Sequence, residues 1–153
     1  MLPVKKIFCP IDFSEASIVA LDAASEHAHH FGAELTIFHV LPSMPVFANE
    51  MGLAAVGYYP IDADRGAEAE ARINSLIKKH VPEGVRTVTE VRLGDAPTEI
   101  TSAAADDNAD LIVIGTHGET GWRFLAIGSV AAKVVRMAHR PVLTTYGGPQ
   151  HEE

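Results

Sequence analysis

Five short runs rich in β-branched residues, at positions 6–11, 34–40, 86–93, 110–114 and 142–146, alternate with four longer Ala-rich stretches at 14–31, about 64–80, 97–108 and 129–139. The polar-faced spacing of the longer stretches suits helices. The order βαβαβαβαβ therefore predicts an α/β fold, a parallel sheet covered by helices on both faces. Local punctuation agrees: Ser14 followed by Glu15 suits an N-cap, Gly32 stands where a C′ glycine would, Pro97 suits the first turn of the third helix, and Pro82 with Gly84 closes the second. Residues 110–114, Asp-Leu-Ile-Val-Ile, are almost continuously apolar, as in a strand buried on both faces, which places that strand centrally.

A length of 153 residues suits one domain, expected over residues 1–147, with a short solvated tail at 148–153. Twelve Lys and Arg against 20 Asp and Glu leave a net charge of −8. That field repels phosphate backbones and anionic headgroups, so nucleic acid and membrane are set aside as main partners. With 47% hydrophobic and 21% charged residues the chain can bury a core without staples. Cys9 is the only cysteine, which rules out an internal disulfide and a zinc site with paired thiolates. The apolar stretch after Lys5 and Lys6 is broken at once by Pro10 and Asp12, too short for a secretory segment or a membrane span, and the expectation is a cytoplasmic protein.

Residues 41–61 break the alternation, with Pro42, Pro45 and Pro60, two glycines, several large apolar residues including Phe47, Tyr58 and Tyr59, and Glu50 as the one charge. Such a segment either covers a ligand or a neighbouring subunit, or packs loosely on its own core.

In an open α/β sheet, ligands bind beyond the carboxyl ends of the strands, where strand order reverses. The segment after the fourth strand is the richest of these ends, with Gly115, Gly118 and Gly121 close together and a helix opening at Gly128-Ser129-Val130. Glycines there let backbone approach a ligand, and a helix start of this kind offers N–H donors, a hydroxyl and the positive end of the dipole, an anion site suited to phosphate. The plainer alternative is that Gly121 and Gly128 only make turns and Ser129 is an N-cap. No Gly-Lys dipeptide exists, which excludes a P-loop, and Cys9-Pro-Ile-Asp-Phe-Ser14 stands where a dinucleotide fingerprint would need its glycines.

The spacing Gly115-x-x-Gly118, nine residues, Gly128-Ser129 resembles the ATP-binding signature of the universal stress protein family. The likeness extends to Pro10-Ile-Asp12-Phe-Ser14, Phe38-His-Val40, Gly94-Asp-Ala-Pro97 and the run from Gly128 through Ala131 to His139-Arg-Pro-Val142, essentially the whole chain. The resemblance implies an open five-stranded parallel sheet in the order 3-2-1-4-5, Rossmann-like and of the adenine nucleotide alpha hydrolase type. Pro10, Ile11 and Asp12 would form one lip of a crevice, and Gly115, Thr116, His117 and Gly118 the other. It further implies Asp12 near the adenosine, the Val40 backbone against the base, Gly121 within the loop, and Gly128, Ser129, Val130 and Ala131 at the phosphates. Ala131 departs from some members, which have a hydroxyl there, and its loss would either lower affinity or shift preference from ATP towards AMP or ADP; Mg or Mn would accompany the nucleotide. A homodimer through the last strand, Val142 to Tyr146, is implied as well. The function expected is that of an ATP-binding regulatory module. The alternatives are a slow ATP hydrolase or phosphotransferase using the same crevice, and a scaffold acting on an unknown protein partner.

Several residues carry two readings. Asp12 either accepts from a ribose hydroxyl or caps the first helix jointly with Ser14. Arg123 either reaches a phosphate or is solvated, and Lys133 and Arg136 fall on an outer helix face. His27, His29 and His30 are read as exposed residues favoured by a helix C-terminus in preference to a metal site. His117 has no assignable catalytic partner. His39 is read as a strand-end packing residue and Cys9 as a buried apolar one.

Overall fold

The computed structural model describes residues 3–43, 63–116 and 127–146. Five strands and four helices alternate as expected: β1 (Lys6–Pro10), α1 (Glu15–Phe31), β2 (Glu34–Pro42), α2 (Ala63–His80), β3 (Thr87–Gly94), α3 (Ala96–Asp106), β4 (Leu111–Gly115), α4 (Ser129–Met137) and β5 (Val142–Thr145). All pairings are parallel, in the order β3-β2-β1-β4-β5. The middle strand is thus β1, and the apolar β4 is interior beside it, between β1 and β5.

Alternate residues of the strands feed two cores. Ile7, Cys9, Leu35, Ile37 and Val113 pack with Leu21 and the alanines of α1 and with Ile73 of α2. Phe8, Phe38, Ile112 and Ile114 face Ile100 and Ala104 of α3 and Ala131 and Val134 of α4. In α1 the buried residues Ala16, Ala20, Ala24 and Ala28 recur every four positions, a stripe without bulk that lets the helix lie close on the sheet. Ser14 caps this helix by accepting from the Ser17 N–H, and Gly32 ends it in the left-handed conformation at φ 63°. Asp95 caps α3 in the same way, accepting from the Thr98 N–H and hydroxyl.

Most boundaries differ from the sequence reading by one or two residues, α3 for example ending at Asp106 and not at Asn108. β2 continues through Leu41 and Pro42, pairing with Leu93 and Gly94, because a final strand residue needs no N–H of its own. β1 stops at Pro10, one residue earlier than expected. α4 ends at Met137, since Pro141 biases Arg140 away from helical angles and Ala138 is already extended at ψ 124°. Among the described residues no helix is long and apolar enough to cross a membrane.

At the amino ends of the strands, the Asp110 carboxylate accepts from the backbone N–H groups of Lys5 and Lys6, at 2.8 and 3.0 Å. The hydrogen bond from Lys5 is the chief cause that holds its pKa below the usual carboxylate value. A depressed carboxylate contributes stability above its unfolded pKa and loses it as pH falls through the folded one. Asp110→Asn is therefore expected to be less stable than wild type at neutral pH, with the gap in denaturant midpoint closing as acid protonates the wild-type carboxyl. Urea melts at pH 7 and at about pH 3 test this.

Candidate functional site

The sheet opens where β1 and β4 part. They pair only at Ile7 with Leu111 and Phe8 with Ile112, whereas β1 stays on β2 as far as Pro10. The cause lies in the strand itself. Successive residues of a strand direct their backbone groups to opposite neighbours: the Lys6 carbonyl accepts from Asp110 on the β4 side, and the Ile11 N–H donates to Phe38 on the β2 side. Pro10 is in phase with Lys6, so it faces β4, and it has no N–H to give.

The resulting cleft has a volume of about 260 Å³. It brings together ten of the residues expected from sequence: Pro10, Ile11 and Asp12 after β1, Val40 in β2, Gly115 and Thr116 at the end of β4, and Gly128, Ser129, Val130 and Ala131 at the start of α4. Five further lining residues were not anticipated: Ser17, Phe38, Ala96, Ile100 and Ile114. Phe38 and Ile114 were findable, since each lies on the cleft-facing side of its strand, Phe38 two residues before Val40. His117, Gly118, Gly121 and Arg123 lie outside the described residues, as does most of the 41–61 segment.

The floor of the cleft is apolar, from Phe38, Val40, Ala96, Ile100 and Ile114. Among its described lining residues there is no Lys, Arg or His, and Asp12 is the one charged side chain. Polar recognition of an anion thus falls to backbone N–H groups and the Ser129 hydroxyl. α4 opens at Gly128, the N-cap, with no side-chain cap, and the first bond within the helix runs from Ala132 to the Gly128 carbonyl. The N–H groups of Ser129, Val130 and Ala131 precede that bond and have no acceptor inside the helix. Ser129 is therefore the first helical residue and not the N-cap weighed in the sequence reading; the Gly128 N–H is itself used, donating to the Thr116 carbonyl. The Ala131 methyl is buried in the core.

Asp12 takes the capping role considered for it. Its Oδ1 accepts from the Ser14 N–H at 3.0 Å and from the Ser14 hydroxyl, while the side chain stays exposed at the cleft rim. Between them Phe13 is held at φ 66°, unusual for a bulky residue. Its ring lies under the Arg72 guanidinium, 3.7 Å from the centroid, and against the His39 ring at 4.6 Å. The His39 Nδ1–H donates to the Ile11 carbonyl at 2.8 Å, so this packing residue also fixes the lip.

Gly115 owes its identity to the fold. A Cβ on it would stand 2.6 Å from the Ala16 carbonyl oxygen of α1. The sequence reading tied this glycine to close approach of a ligand; the nearer partner is the helix.

Of the three histidines expected to be exposed at the end of α1, His29 and His30 are exposed in its last turn, whereas His27 is half-buried a turn earlier, its Nδ1–H donating to the Ala23 carbonyl. Lys133 and Arg136 are exposed. No group of three or more His, Cys, Asp or Glu placed to hold a metal occurs among the described residues. Cys9 is fully buried, and burial pushes its thiol far above the usual value, so it packs and does not react.

A doubly wound parallel sheet with a cleft between its middle strand and the neighbour across the order reversal defines an open α/β protein, and ligands of such sheets bind at that place. The sequence model of the Universal stress protein family matches residues 3–145, and the chain belongs to that family. It is 36% identical to universal stress protein MJ0531 of Methanocaldococcus jannaschii over 140 residues, covering 91% of this chain and 80% of that protein. The solved structure of hypothetical protein MJ0577 is similar with a TM-score of 0.73 and 26% identity, over 94% of this chain and 96% of that one. The universal stress protein from Archaeoglobus fulgidus in complex with dAMP shares the fold with a TM-score of 0.61 and 24% identity, over 94% and 98% of the two chains. A universal stress protein in complex with cAMP does so at 0.63 and 22%, over 95% and 98%.

Proposed function

We propose that the cleft binds an adenine nucleotide and that the protein is a nucleotide-dependent regulatory module, one domain over residues 1–147 with 148–153 as its tail. One observation carries the reading: an apolar pocket and an uncapped helix N-terminus open into the same cleft. A purine suits the first and a phosphate the second. The dAMP and cAMP complexes of family members are consistent with this ligand class.

Pro10, Ile11 and Val40 border the base, Asp12 the ribose, Gly115 and Thr116 the far wall, and Gly128, Ser129, Val130 and Ala131 the phosphate, with His117, Gly118 and Gly121 assigned to the same wall by the family signature. Because the described lining has no cationic side chain, a single phosphate is matched by the α4 donors alone, whereas ATP would bring Mg or Mn to offset its charge. Asp12, the one charged side chain of the described lining, is the residue that would hold that ion. Asp12 is also the single candidate base for the alternative reading as a slow hydrolase or phosphotransferase.

The module acts as a homodimer through β5. Among the described residues that strand pairs only with β4, and Val135 and Met137 of α4, Ile127 just before it and Tyr146 just after β5 are exposed apolar residues. Equilibrium titration with AMP, ADP and ATP, each with and without Mg, tests the proposal when phosphate release is measured in the same samples. Saturable binding without release is expected; release that follows binding would favour the hydrolase, and failure of all three to bind would refute both.

A further inference from the structure

Thr116 is the last described residue of the β4 end, and three hydrogen bonds converge on it. Its N–H donates to the Thr145 carbonyl at 3.0 Å, its hydroxyl donates to that same oxygen at 3.1 Å, and its own carbonyl accepts the Gly128 N–H. The chain leaves the sheet at Thr116 and is tied back to it at Gly128, one residue before the unpaired donors of α4.

The side chain thus lines the cleft while its hydroxyl proton is spent on the edge strand. Thr145 is the last residue of β5, paired with Gly115, so β5 is the fixed point to which the start of α4 is anchored. Gly115 cannot supply the anchor, having no side chain, and it is already pressed on α1. The Gly128 cap likewise contributes no side-chain bond to the helix start. Loss of the hydroxyl would remove one of the two bonds from Thr116 to the Thr145 carbonyl.

We propose that Thr116 is a positioning residue: through its hydroxyl bond to Thr145 it fixes the first turn of α4 so that the Ser129, Val130 and Ala131 N–H groups converge on one phosphate. This rests on the nucleotide reading above. It predicts an effect concentrated at the phosphate end of the ligand, because four of the five floor residues, Phe38, Val40, Ala96 and Ile100, stand on β2 and α3, and the fifth, Ile114, precedes Thr116 within β4.

The test is calorimetric titration of the full chain with AMP and with adenosine, for wild type, Thr116→Val and Thr116→Ser. Loss of one hydrogen bond translates to about a three- to tenfold change in an equilibrium constant. Thr116→Val is expected to weaken AMP by about that factor while adenosine stays within about twofold, and Thr116→Ser is expected to restore AMP binding. Equal loss for both ligands would mean that the whole cleft had loosened, and would overturn the assignment. Unchanged AMP affinity would overturn it too. Wild-type protein that binds neither ligand would instead remove the underlying nucleotide reading, an outcome distinct from the other two. Should Thr116→Val fail to fold, Thr116→Ala gives the same comparison.

Discussion

Gly115→Ala is expected to melt about 6–12 °C below wild type, a destabilisation of about 3 kcal/mol for a domain of this size. The methyl would be placed 2.6 Å from the Ala16 carbonyl oxygen and 2.8 Å from its carbon, both backbone atoms. Neither can swing aside as a side chain would. Either α1 lifts from the sheet, giving up the packing of its alanine stripe, or the end of β4 shifts and carries Thr116 with it. Gly32→Ala is the control. Gly32 has φ 63° but open space around its missing side chain, so the expected cost is about 1 kcal/mol, from the left-handed backbone alone. Thermal melts of the three proteins decide the matter: a Gly115→Ala melt no lower than that of Gly32→Ala would mean that α1 does not lie as close to β4 as described.

Ser129→Pro is expected to weaken AMP binding by about 10- to 100-fold while leaving the melting temperature within about 2 °C of wild type. Ser129 is the first residue of α4, a position where proline suits the helix. The residue before it, Gly128, lies at φ −52° and ψ 150°, the extended conformation that a following proline requires. The substitution therefore takes one N–H and one hydroxyl out of the cleft without disturbing the helix that carries them. A neutral hydrogen bond would be worth less; one to an ionised phosphate is worth about 1.5–3 kcal/mol. Parallel measurements of affinity and melting point separate the two effects. A large fall in melting temperature would show that the helix start, and not a donor, had been damaged.

Both variants rest on features that sequence exposes unequally. The alternation of β-branched runs with Ala-rich stretches made the strand and helix order legible, because a period of two and a period near four leave different traces of burial. Pro10 was visible too, but its effect was not: only the phase of β1 against its two neighbours shows that its missing N–H falls on the β4 side. The spacing of Gly115 and Gly128 marked the cleft, yet it could not say that Gly115 answers to Ala16, a contact between elements about a hundred residues apart in the chain. Ser129 was weighed as a cap because its residue type favours that place; Gly128 took it once its N–H was drawn to Thr116. Asp12 and Ser14 do share the turn before α1, as one of the two readings held. The Phe13, His39 and Arg72 stack left no trace in sequence, since its three members come from the turn before α1, from β2 and from α2.

Residues 44–61 and the glycines at 118 and 121 stay with the sequence reading alone. What the described residues add is a cleft whose described lining has no cationic side chain, so that its anion donors are backbone N–H groups and the Ser129 hydroxyl. This turns the net charge of −8 into a requirement: the phosphate must be gripped locally, against the field of the whole molecule.

Titration of the wild-type protein with AMP at low salt, repeated with Ser129→Pro, tests that claim most directly. Saturable binding at one site per chain, weakened at least tenfold by the proline, is the predicted result. No binding by wild type up to millimolar AMP, or equal binding by both proteins, would contradict it.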